Sequence, residues 1–396
     1  MDDKIMQNKT LYEMSFKGKG SEYFAIWLVN LLLTVITLGI YSAWATVRRR
    51  RYFYGNTELN GDRFDYHAQP VQLLKGRLLV IGSIILFYIL LAVTPQFALV
   101  VALAFLASVP WIILRSWRYN AIMTSYRGVR FNYHCQTGRA YWVLLFCPLL
   151  LIIGLYAAIC LMVMIGYTVN SLSAVITLAV ISAILLLPLL AVINGIMATL
   201  QQNLYVNNLS FGNSSFITTL KKSVFIKIHL ISTLIFMLFF VIAMIFAGSF
   251  LLGLSQLALS AEVTDAMAGA LIINNAGNLL LMIVVLLLGS MSSSSYRTVA
   301  QRNYLFSQTT LQGEIKLHSS MKTLQYMGLL ITNSLITVFS LGFAAPVAEV
   351  RHARYLAHST KIEGDLSLLN IQAHQDTAND ATAEETVQML DLGTRF

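Results

Sequence analysis

Eight long hydrophobic stretches restrict the possible folds of this chain more than any other feature of its sequence. A helix needs roughly 20 apolar residues, within a range of about 17–25, to cross a hydrocarbon core about 30 Å thick. All eight stretches reach this length: Phe24–Val47, Leu78–Thr94, Phe97–Leu114, Tyr141–Tyr167, Leu172–Leu200, Phe225–Leu254, Leu271–Ser290 and Leu324–Ala348. Because backbone in lipid must satisfy its own hydrogen bonds, the sequence predicts an all-α polytopic membrane protein with about eight helices.

The composition supports a membrane protein. Only 11% of the 396 residues are charged and 57% are hydrophobic, whereas a soluble domain carries about 25% charged residues. The first 22 residues hold four acids and four lysines, so we expect no cleavable signal peptide. Cys135, Cys147 and Cys160 lack CxxC spacing, and we interpret them as packing residues.

The net charge of +9 is concentrated in alternate connectors. Lys and Arg residues occur in Arg48–Arg77, Arg115–Ala140, Gln201–Val224 and Met291–Thr323, and none occurs in 95–96, 168–171 or 255–270. Basic residues are retained on the cytoplasmic side of short loops, so the first group is predicted to be cytoplasmic. This distribution favours the membrane, and not nucleic acid, as the partner of the basic residues.

Four consecutive arginines follow the first hydrophobic stretch. We interpret them as a topology anchor whose side chains extend toward anionic headgroups. The alternative is a specific contact with a lipid or a protein partner. The candidate residues for such a contact are Arg48, Arg49, Arg50, Arg51, Arg115 and Arg118.

A polar motif is repeated after the hydrophobic helices. In four copies a tyrosine precedes a glycine by nine residues, and three copies carry a histidine: Tyr52, Gly61, Phe64, His67; Tyr119, Gly128, Phe131, His134; Tyr304, Gly313, His318; Tyr355, Gly364. A weaker copy covers Asn203–Phe216. The preceding helices also match, since TLGIYSAWATVRRRRY aligns without gaps with SLGFAAPVAEVRHARY. The chain is therefore predicted to be built from repeated helix-plus-motif units.

Each motif is predicted to form a short hairpin. Asn60-Gly61 lies between alternating segments, and Asn-Gly is the strongest short hairpin signal because both turn positions favour positive φ. An isolated hairpin is marginally stable in water. We therefore expect the hairpin-like motifs to pair or pack into a small cytoplasmic layer beneath the helices.

The motif histidines His67, His134 and His318 suggest a metal site if the units surround an axis. No nearby cysteine or suitably spaced carboxylate completes a ligand set. We therefore predict neither a metal nor a cofactor.

The positions of the chain ends depend on the first and last hydrophobic stretches. If all eight stretches cross the membrane, both ends lie outside; if these two re-enter at Gly39 and Gly342, the last motif stays on the cytoplasmic side with the others. The predicted organisation is a polar tail at 1–23, a membrane domain at 24–348, the last motif at 349–370 and an acidic tail, disordered or weakly helical, at 371–396.

Asparagines are the main polar residues within the hydrophobic stretches. Asn274 and Asn278 share a helical face by their i, i+4 spacing. Interhelical hydrogen bonding is one explanation for such residues, and a polar pathway is the other. The candidates for the pathway are Asn274, Asn278, Asn194, Asn30 and Asn333.

The stretch from Phe16 to Ala68, which contains TLGIYSAW and RYFYGNTELNG, resembles the YjgN family of bacterial inner-membrane proteins. The resemblance extends over nearly the whole chain through the hydrophobic pattern. It implies a multi-pass protein of the bacterial inner membrane. It brings no activity and no catalytic residues.

Three functions are consistent with the sequence. The first is transport or channel-like handling of a small molecule or lipid, as in many repeat-built transporters. The second is a non-catalytic scaffold that binds anionic headgroups, a protein partner or a second copy through its basic motifs. An enzyme ranks last, because no HExxH, GxGxxG, GxxxxGK[ST] or GxSxG motif is present.

Overall fold

The computed structural model describes residues 11–168, 172–259 and 264–364, in which short strands alternate with helices. The strands are β1 Leu11–Phe16, β2 Thr57–Leu59, β3 Asp62–Tyr66, β4 Thr124–Tyr126, β5 Val129–Tyr133, β6 Leu209–Phe211, β7 Ser214–Thr218, β8 Thr309–Leu311, β9 Ile315–Ser319 and β10 Thr360–Glu363. The helices are α1 Gly20–Ile36, α2 Ser42–Gly55, α3 Pro70–Val93, α4 Ala98–Met123, α5 Thr137–Tyr141, α6 Cys147–Thr168, α7 Leu172–Val206, α8 Lys222–Leu259, α9 Asp265–Asn274, α10 Ala276–Ser307, α11 Thr323–Phe339 and α12 Ala345–His358. A π-helical turn at Trp142–Phe146 joins α5 to α6.

The ten strands form one closed barrel in which every neighbouring pair is antiparallel. Strands that follow one another in the chain are neighbours, and β1 pairs with β10 to close the ring. The structure is mostly helical, as predicted, but the all-α class with short hairpin-like motifs is not confirmed, because the motif strands belong to one ten-stranded barrel. Strands of three to six residues give a weak periodic signal, and the pairing between motifs depends on residues far apart in the chain.

The antiparallel order gives the barrel two different rims. Even-numbered strands run in one direction, so the turns that follow β2, β4, β6 and β8 all lie at one rim, which we call the turn rim. The first three turns have two residues, and the turn after β8 has three. At the turn after β2, Asn60 has φ 51° and Gly61 has φ 86°, a conformation that glycine adopts at little steric cost. The opposite rim, the helix rim, gives rise to every helix.

Five helical hairpins leave the helix rim and return to it: α1–α2, α3–α4, α5–α7, α8–α10 and α11–α12. Among the described residues, six helices are long and apolar enough to cross a membrane: Pro70–Val93, Leu99–Met123, Thr137–Met162, Leu185–Val206, Lys222–Leu257 and Ala276–Ser307. All six belong to the three central hairpins. The expected count of eight is therefore not confirmed.

The first and last hydrophobic stretches are folded back on themselves. Helix α1 ends at a left-handed pair, Leu38 (φ 48°) and Gly39 (φ 92°), and the Gly39 amide donates to Thr34 O at 2.8 Å. Leu341 and Gly342 repeat this turn between α11 and α12. Since both helices of each pair start from the helix rim, these stretches form fold-back hairpins, which is the shape that the re-entrant alternative requires.

Apolar side chains fill the inside of the barrel. Leu59, Tyr126, Phe211, Leu311 and Ile315 are buried in one cluster to which several strands contribute. Alternate residues of a strand face opposite sides, so exposed residues such as Glu13 lie on the outer surface. Residues 11–23, predicted to be a polar tail, form β1 and the beginning of α1. The predicted acidic tail at 371–396 lies outside the described residues.

Candidate functional site

The motif tyrosines hold four of the five helical hairpins closed at the helix rim. Each lies in the last turns of a returning helix, and its hydroxyl group hydrogen-bonds to the beginning of the outgoing helix of the same hairpin. The partners are Lys19 N (2.8 Å) for Tyr52, Gln72 Oε1 (3.1 Å) for Tyr119, Lys221 N (3.1 Å) for Tyr304 and Lys322 N (3.1 Å) for Tyr355. The repeated tyrosine is thus a structural clamp.

In three of the five repeats, the residue before the tyrosine position connects its hairpin to the next one around the ring. Its side chain donates to the carbonyl group two residues after the end of the odd-numbered strand that precedes the next hairpin. The pairs are Arg51 Nη2 to Ala68 O (3.0 Å), Asn303 Nδ2 to Met321 O (2.9 Å) and Arg354 Nη2 to Gly18 O (3.0 Å). Arginine and asparagine therefore both bind the carbonyl group of the next hairpin's linker. The alignment of the repeats in the sequence did not reveal this shared role.

A threonine at the first position of an even-numbered strand caps the preceding helix, and sequence reasoning missed it. The hydroxyl group donates to the carbonyl group four residues earlier: Thr57 to Phe53, Thr124 to Asn120, Thr309 to Leu305 and Thr360 to Leu356, at 2.7–2.9 Å. In the third repeat Leu209 takes this position, and Asn208 Nδ2 donates to Leu204 O instead. The signal was present in the sequence as a threonine five residues after each motif tyrosine.

Four arginines form a belt around the hairpins between the helix rim and the apolar part of the helices. Arg48, Arg115 and Arg351 each lie nine residues before a strand, and Arg77 lies on the neighbouring outgoing helix α3. Their side chains contact residues on the side away from the barrel: Tyr41 OH for Arg48 (3.1 Å), Thr46 Oγ1 for Arg77 (2.9 Å), the Trp111 ring for Arg115 (5.4 Å) and Thr332 Oγ1 for Arg351 (3.1 Å). We call these residues the arginine belt.

The other arginines predicted to contact lipid have different surroundings. Arg50 donates to Tyr66 OH at 2.8 Å and to Asn120 Oδ1 at 2.6 Å, so it joins two hairpins. Arg51 binds the linker carbonyl described above. Arg49 is exposed on α2, and Arg118 is half-buried on α4.

The motif histidines have separate partners. His67 Nε2 lies 2.7 Å from Ser125 Oγ, and His318 Nε2 lies 2.8 Å from Glu363 Oε2. The His134 backbone amide donates to Asn208 O. Phe64 and Phe131, the motif phenylalanines, pack against the barrel core. Within the described ranges, no group of three or more His, Cys, Asp or Glu residues could hold a metal ion.

The candidate asparagines lie at several separate places. Asn30 is buried and accepts from Arg48 Nη1 at 3.3 Å, and Asn333 donates to Ala348 O at 3.1 Å. Asn194 is exposed on α7. Asn274 ends α9 and Asn278 lies on α10, so the predicted common helical face is interrupted at Asn275, whose Oδ1 accepts from Ser249 at 2.7 Å.

Two charged pairs lie on the outer surface of the barrel. Glu13 of β1 and Lys361 of β10 face each other and form an ion pair across the closing strands. The Lys361 ammonium group holds the pKa of the Glu13 carboxyl below its ordinary value, through its hydrogen bond and its charge. Arg127 at the turn after β4 binds Asp62 of β3, and this bond raises the pKa of Arg127.

Repeated helical hairpins on a closed barrel, with six helices long enough to cross a bilayer, define a multi-pass membrane protein with internal repeats. The chain belongs to the family described as "Bacterial protein of unknown function (DUF898)", which matches residues 11–389. The inner membrane protein YjgN of Salmonella typhimurium strain LT2 is 31% identical over 383 residues, covering 94% of this chain and 92% of the relative. The inner membrane protein YjgN of Escherichia coli O157:H7 is 30% identical over 371 residues, covering 91% and 92%.

No solved structure matches the chain. The relatives are inner-membrane proteins by name, and the resemblance to the YjgN family is confirmed. The chain is accordingly a multi-pass inner-membrane protein, and its activity has to be argued from its own residues.

Proposed function

We propose that the protein is a non-catalytic scaffold of the inner membrane that binds anionic phospholipid headgroups in one leaflet. In this proposal the arginine belt makes the headgroup contacts, the six long helices cross the bilayer, and the barrel lies in the cytoplasm. The barrel presents a rigid surface to a protein partner or to a second copy of the chain.

The observation that carries this proposal is the common height of the belt. Arg48, Arg115 and Arg351 occupy equivalent positions in three repeats, and their side chains extend away from the barrel. Guanidinium groups at the level where a helix enters the bilayer gain from anionic headgroups, by about 1 kcal/mol for each residue near the surface. The belt arginines lie on three adjacent hairpins, α11–α12, α1–α2 and α3–α4, and several such groups at one level favour a headgroup layer over isolated charges in solution.

The re-entrant hairpins add a second contact with the same leaflet. Their tips are apolar and almost fully exposed, at 95% for Leu38 and 88% for Leu341. An exposed apolar tip is stabilised by burial in hydrocarbon. Meanwhile Tyr126, Phe211 and Ile315 fill the barrel, so a polar solute moving along the barrel axis would have to displace its core. Both features favour a scaffold.

The scaffold proposal is tested by the lipids that the purified protein retains. The full chain and the variant Arg48→Gln/Arg115→Gln/Arg351→Gln are reconstituted in nanodiscs of phosphatidylcholine with phosphatidylglycerol, and bound lipid is counted by native mass spectrometry. We expect the unmodified chain to enrich phosphatidylglycerol and the belt variant to lose this preference. The control Arg63→Gln/Arg130→Gln/Lys316→Gln removes three exposed charges from the barrel and is expected to keep it. Equal losses in both variants, or no enrichment at all, would contradict the proposal.

A transport or channel-like function for a small molecule or lipid is the second candidate. The supporting observation is that Asn194, Asn274 and Asn278 are exposed in otherwise apolar helices, where polar groups are costly. Of these three, Asn278 donates to Ser249 Oγ at 3.2 Å. Facing a hydrated path would remove that cost. Replacing Asn274 and Asn278 by Leu should then abolish a phenotype that deletion of the gene produces. An unchanged phenotype in the double variant argues against a pathway at these residues.

A further inference from the structure

A cavity of about 230 Å³ lies at the helix rim, where α7, α8, α10, α11 and α12 meet. Its polar lining consists of Gln202, Thr298, Gln301, Arg302, Tyr326 and His352. Phe225, Leu305, Phe306 and Leu356 supply the apolar part. The cavity therefore combines polar groups of three hairpins with an apolar wall, as is usual for small-molecule sites.

Arg302 gives this cavity a positive charge without a matching carboxylate. Its Nη2 donates to Thr360 Oγ1 at 2.9 Å, and its Cζ lies 4.5 Å from the centre of the Phe306 ring. Its Nε is buried and has no hydrogen-bond partner among the described residues. None of the residues that line the cavity is Asp or Glu. A buried guanidinium group without an anionic partner is costly, so the site favours an anion.

Gln202 provides a second unsatisfied atom on the same cavity wall. Its Oε1 is buried and accepts no hydrogen bond from the described residues. The side chain occupies the place in the third repeat that Arg302 occupies in the fourth, two residues before the clamp position. The cavity is thus lined by a guanidinium group from one hairpin and a carboxamide group from the preceding one.

The lining of the cavity indicates the chemistry of the ligand. The guanidinium group of Arg302 favours an anionic partner, and the uncharged polar side chains around it can form hydrogen bonds. A phosphate monoester offers both negative charge and several acceptor oxygens. The planar guanidinium group also matches the geometry of phosphate oxygens.

We propose that this cavity binds a phosphate monoester group, with the guanidinium group of Arg302 as its charged partner and Gln202 as part of its polar lining. The phosphate belongs to a lipid headgroup such as that of phosphatidic acid or to a soluble phosphorylated molecule. This site is separate from the arginine belt and does not depend on the scaffold function. Arg302 lies twelve positions after Ser290, the end of its hydrophobic stretch, or about 18 Å along the helix.

The test uses the full chain and measures its thermal unfolding midpoint. Inorganic phosphate is titrated against sodium chloride at equal ionic strength, and nanodiscs with phosphatidic acid are compared with nanodiscs of phosphatidylcholine alone. A ligand that binds only the folded state raises the midpoint in a saturable way. Saturable stabilisation by inorganic phosphate indicates a soluble ligand, and stabilisation by phosphatidic acid alone indicates a headgroup.

Matched variants assign the effect to the cavity. Arg302→Met is expected to weaken phosphate or phosphatidic acid binding by roughly tenfold or more, since hydrogen bonds to charged groups are the strong ones. Arg297→Met removes an exposed charge from the same helix and should leave binding within about twofold. If Arg302→Met does not fold, Gln202→Met supplies the same comparison. The arginine-belt variant should bind inorganic phosphate normally, which separates this proposal from the scaffold.

Two outcomes would overturn the cavity proposal. The first is the absence of any saturable stabilisation of the unmodified chain by either probe. The second is an equal loss of binding in the exposed-charge control and in the cavity variants, because binding would then be a general charge effect.

Discussion

The Tyr23 hydroxyl donates a hydrogen bond to Glu349 Oε2 at 3.0 Å and so joins α1 to α12 across 326 positions of the chain. Glu13 and Lys361 join β1 to β10 in the same way on the barrel surface. The two ends of the repeat array are therefore connected among the helices and among the strands, in addition to the bond from Arg354 to Gly18 O. Contacts of this kind close the ring of repeats.

Tyr23→Phe should weaken the closure of the helical ring. Tyr23 is 1% exposed, so the substitution removes a buried hydrogen bond to a carboxylate without changing the shape of the ring. We expect a loss of roughly 1.5–3 kcal/mol in the free energy of unfolding, the usual size for a bond to a charged group. Thermal unfolding in detergent measures it. Tyr88→Phe is the control, since Tyr88 is 64% exposed on α3; a similar loss there would show that the bond to Glu349 is not responsible.

Closure of the barrel should weaken in acid. The folded pKa of Glu13 lies below its ordinary value of 4.5, so the stabilisation from this pair is complete above about pH 4.5 and is lost as the pH falls through the folded pKa. The protection of the β1 and β10 amides against hydrogen exchange, relative to the intrinsic exchange rate at each pH, is expected to fall in this range. Glu13→Gln should already exchange faster at pH 7 and show less additional change in acid. Asp65→Asn, on the exposed face of β3, is the control and should keep the pH response of the unmodified chain. The prediction would be contradicted if Glu13→Gln also kept that response.

Thr309→Val should destabilise the junction between α10 and β8. The substitution keeps the shape of the side chain but removes the bond to Leu305 O, and Thr309 is buried. We expect a loss of about 1 kcal/mol. Thr310→Val serves as the control, because neighbouring residues of a strand face opposite sides. Denaturant unfolding measures the free energy of unfolding of both variants. Equal values would show that the hydrogen bond from Thr309 does not stabilise this junction.

The barrel and the tips of the long hairpins should be accessible from opposite sides of the membrane. In a background with Cys135, Cys147 and Cys160 replaced by Ala, Gln96→Cys marks the far end of α3 and Arg63→Cys marks the barrel. An impermeant maleimide should label Gln96→Cys in intact spheroplasts and Arg63→Cys only after lysis. The reverse pattern would place the barrel in the periplasm and refute the charge-based orientation.

The re-entrant tips should stop within one leaflet. Spin labels at Leu38→Cys and Leu341→Cys are expected to be accessible to oxygen but shallower than a label at Leu86→Cys, an exposed residue of α3. Electron paramagnetic resonance with oxygen and a nickel chelate reports these depths. Tip labels that were as accessible to the nickel chelate as Gln96→Cys would mean that these hairpins cross the membrane.

Several features could be predicted from local sequence because they depend on residues close together. The Asn60-Gly61 turn is an example, since two adjacent residues determine its backbone conformation. The matched glycines Gly39 and Gly342 likewise marked equivalent turns. The metal hypothesis for the histidines depended on where three distant residues meet. In the structure His67 and His318 instead have the partners Ser125 and Glu363.

The sequence by itself determined that this is a membrane protein of repeated units, because hydrophobic length and the spacing of tyrosine and glycine are properties of contiguous segments. Only the tertiary structure decided that the motifs close into a barrel, that the first and last hairpins turn back, and that Arg302 and Gln202 face one cavity. These features depend on contacts between residues that are tens to hundreds of positions apart, such as the 348 between Glu13 and Lys361. Such pairings are selected by packing and charge in three dimensions, which local periodicity does not encode.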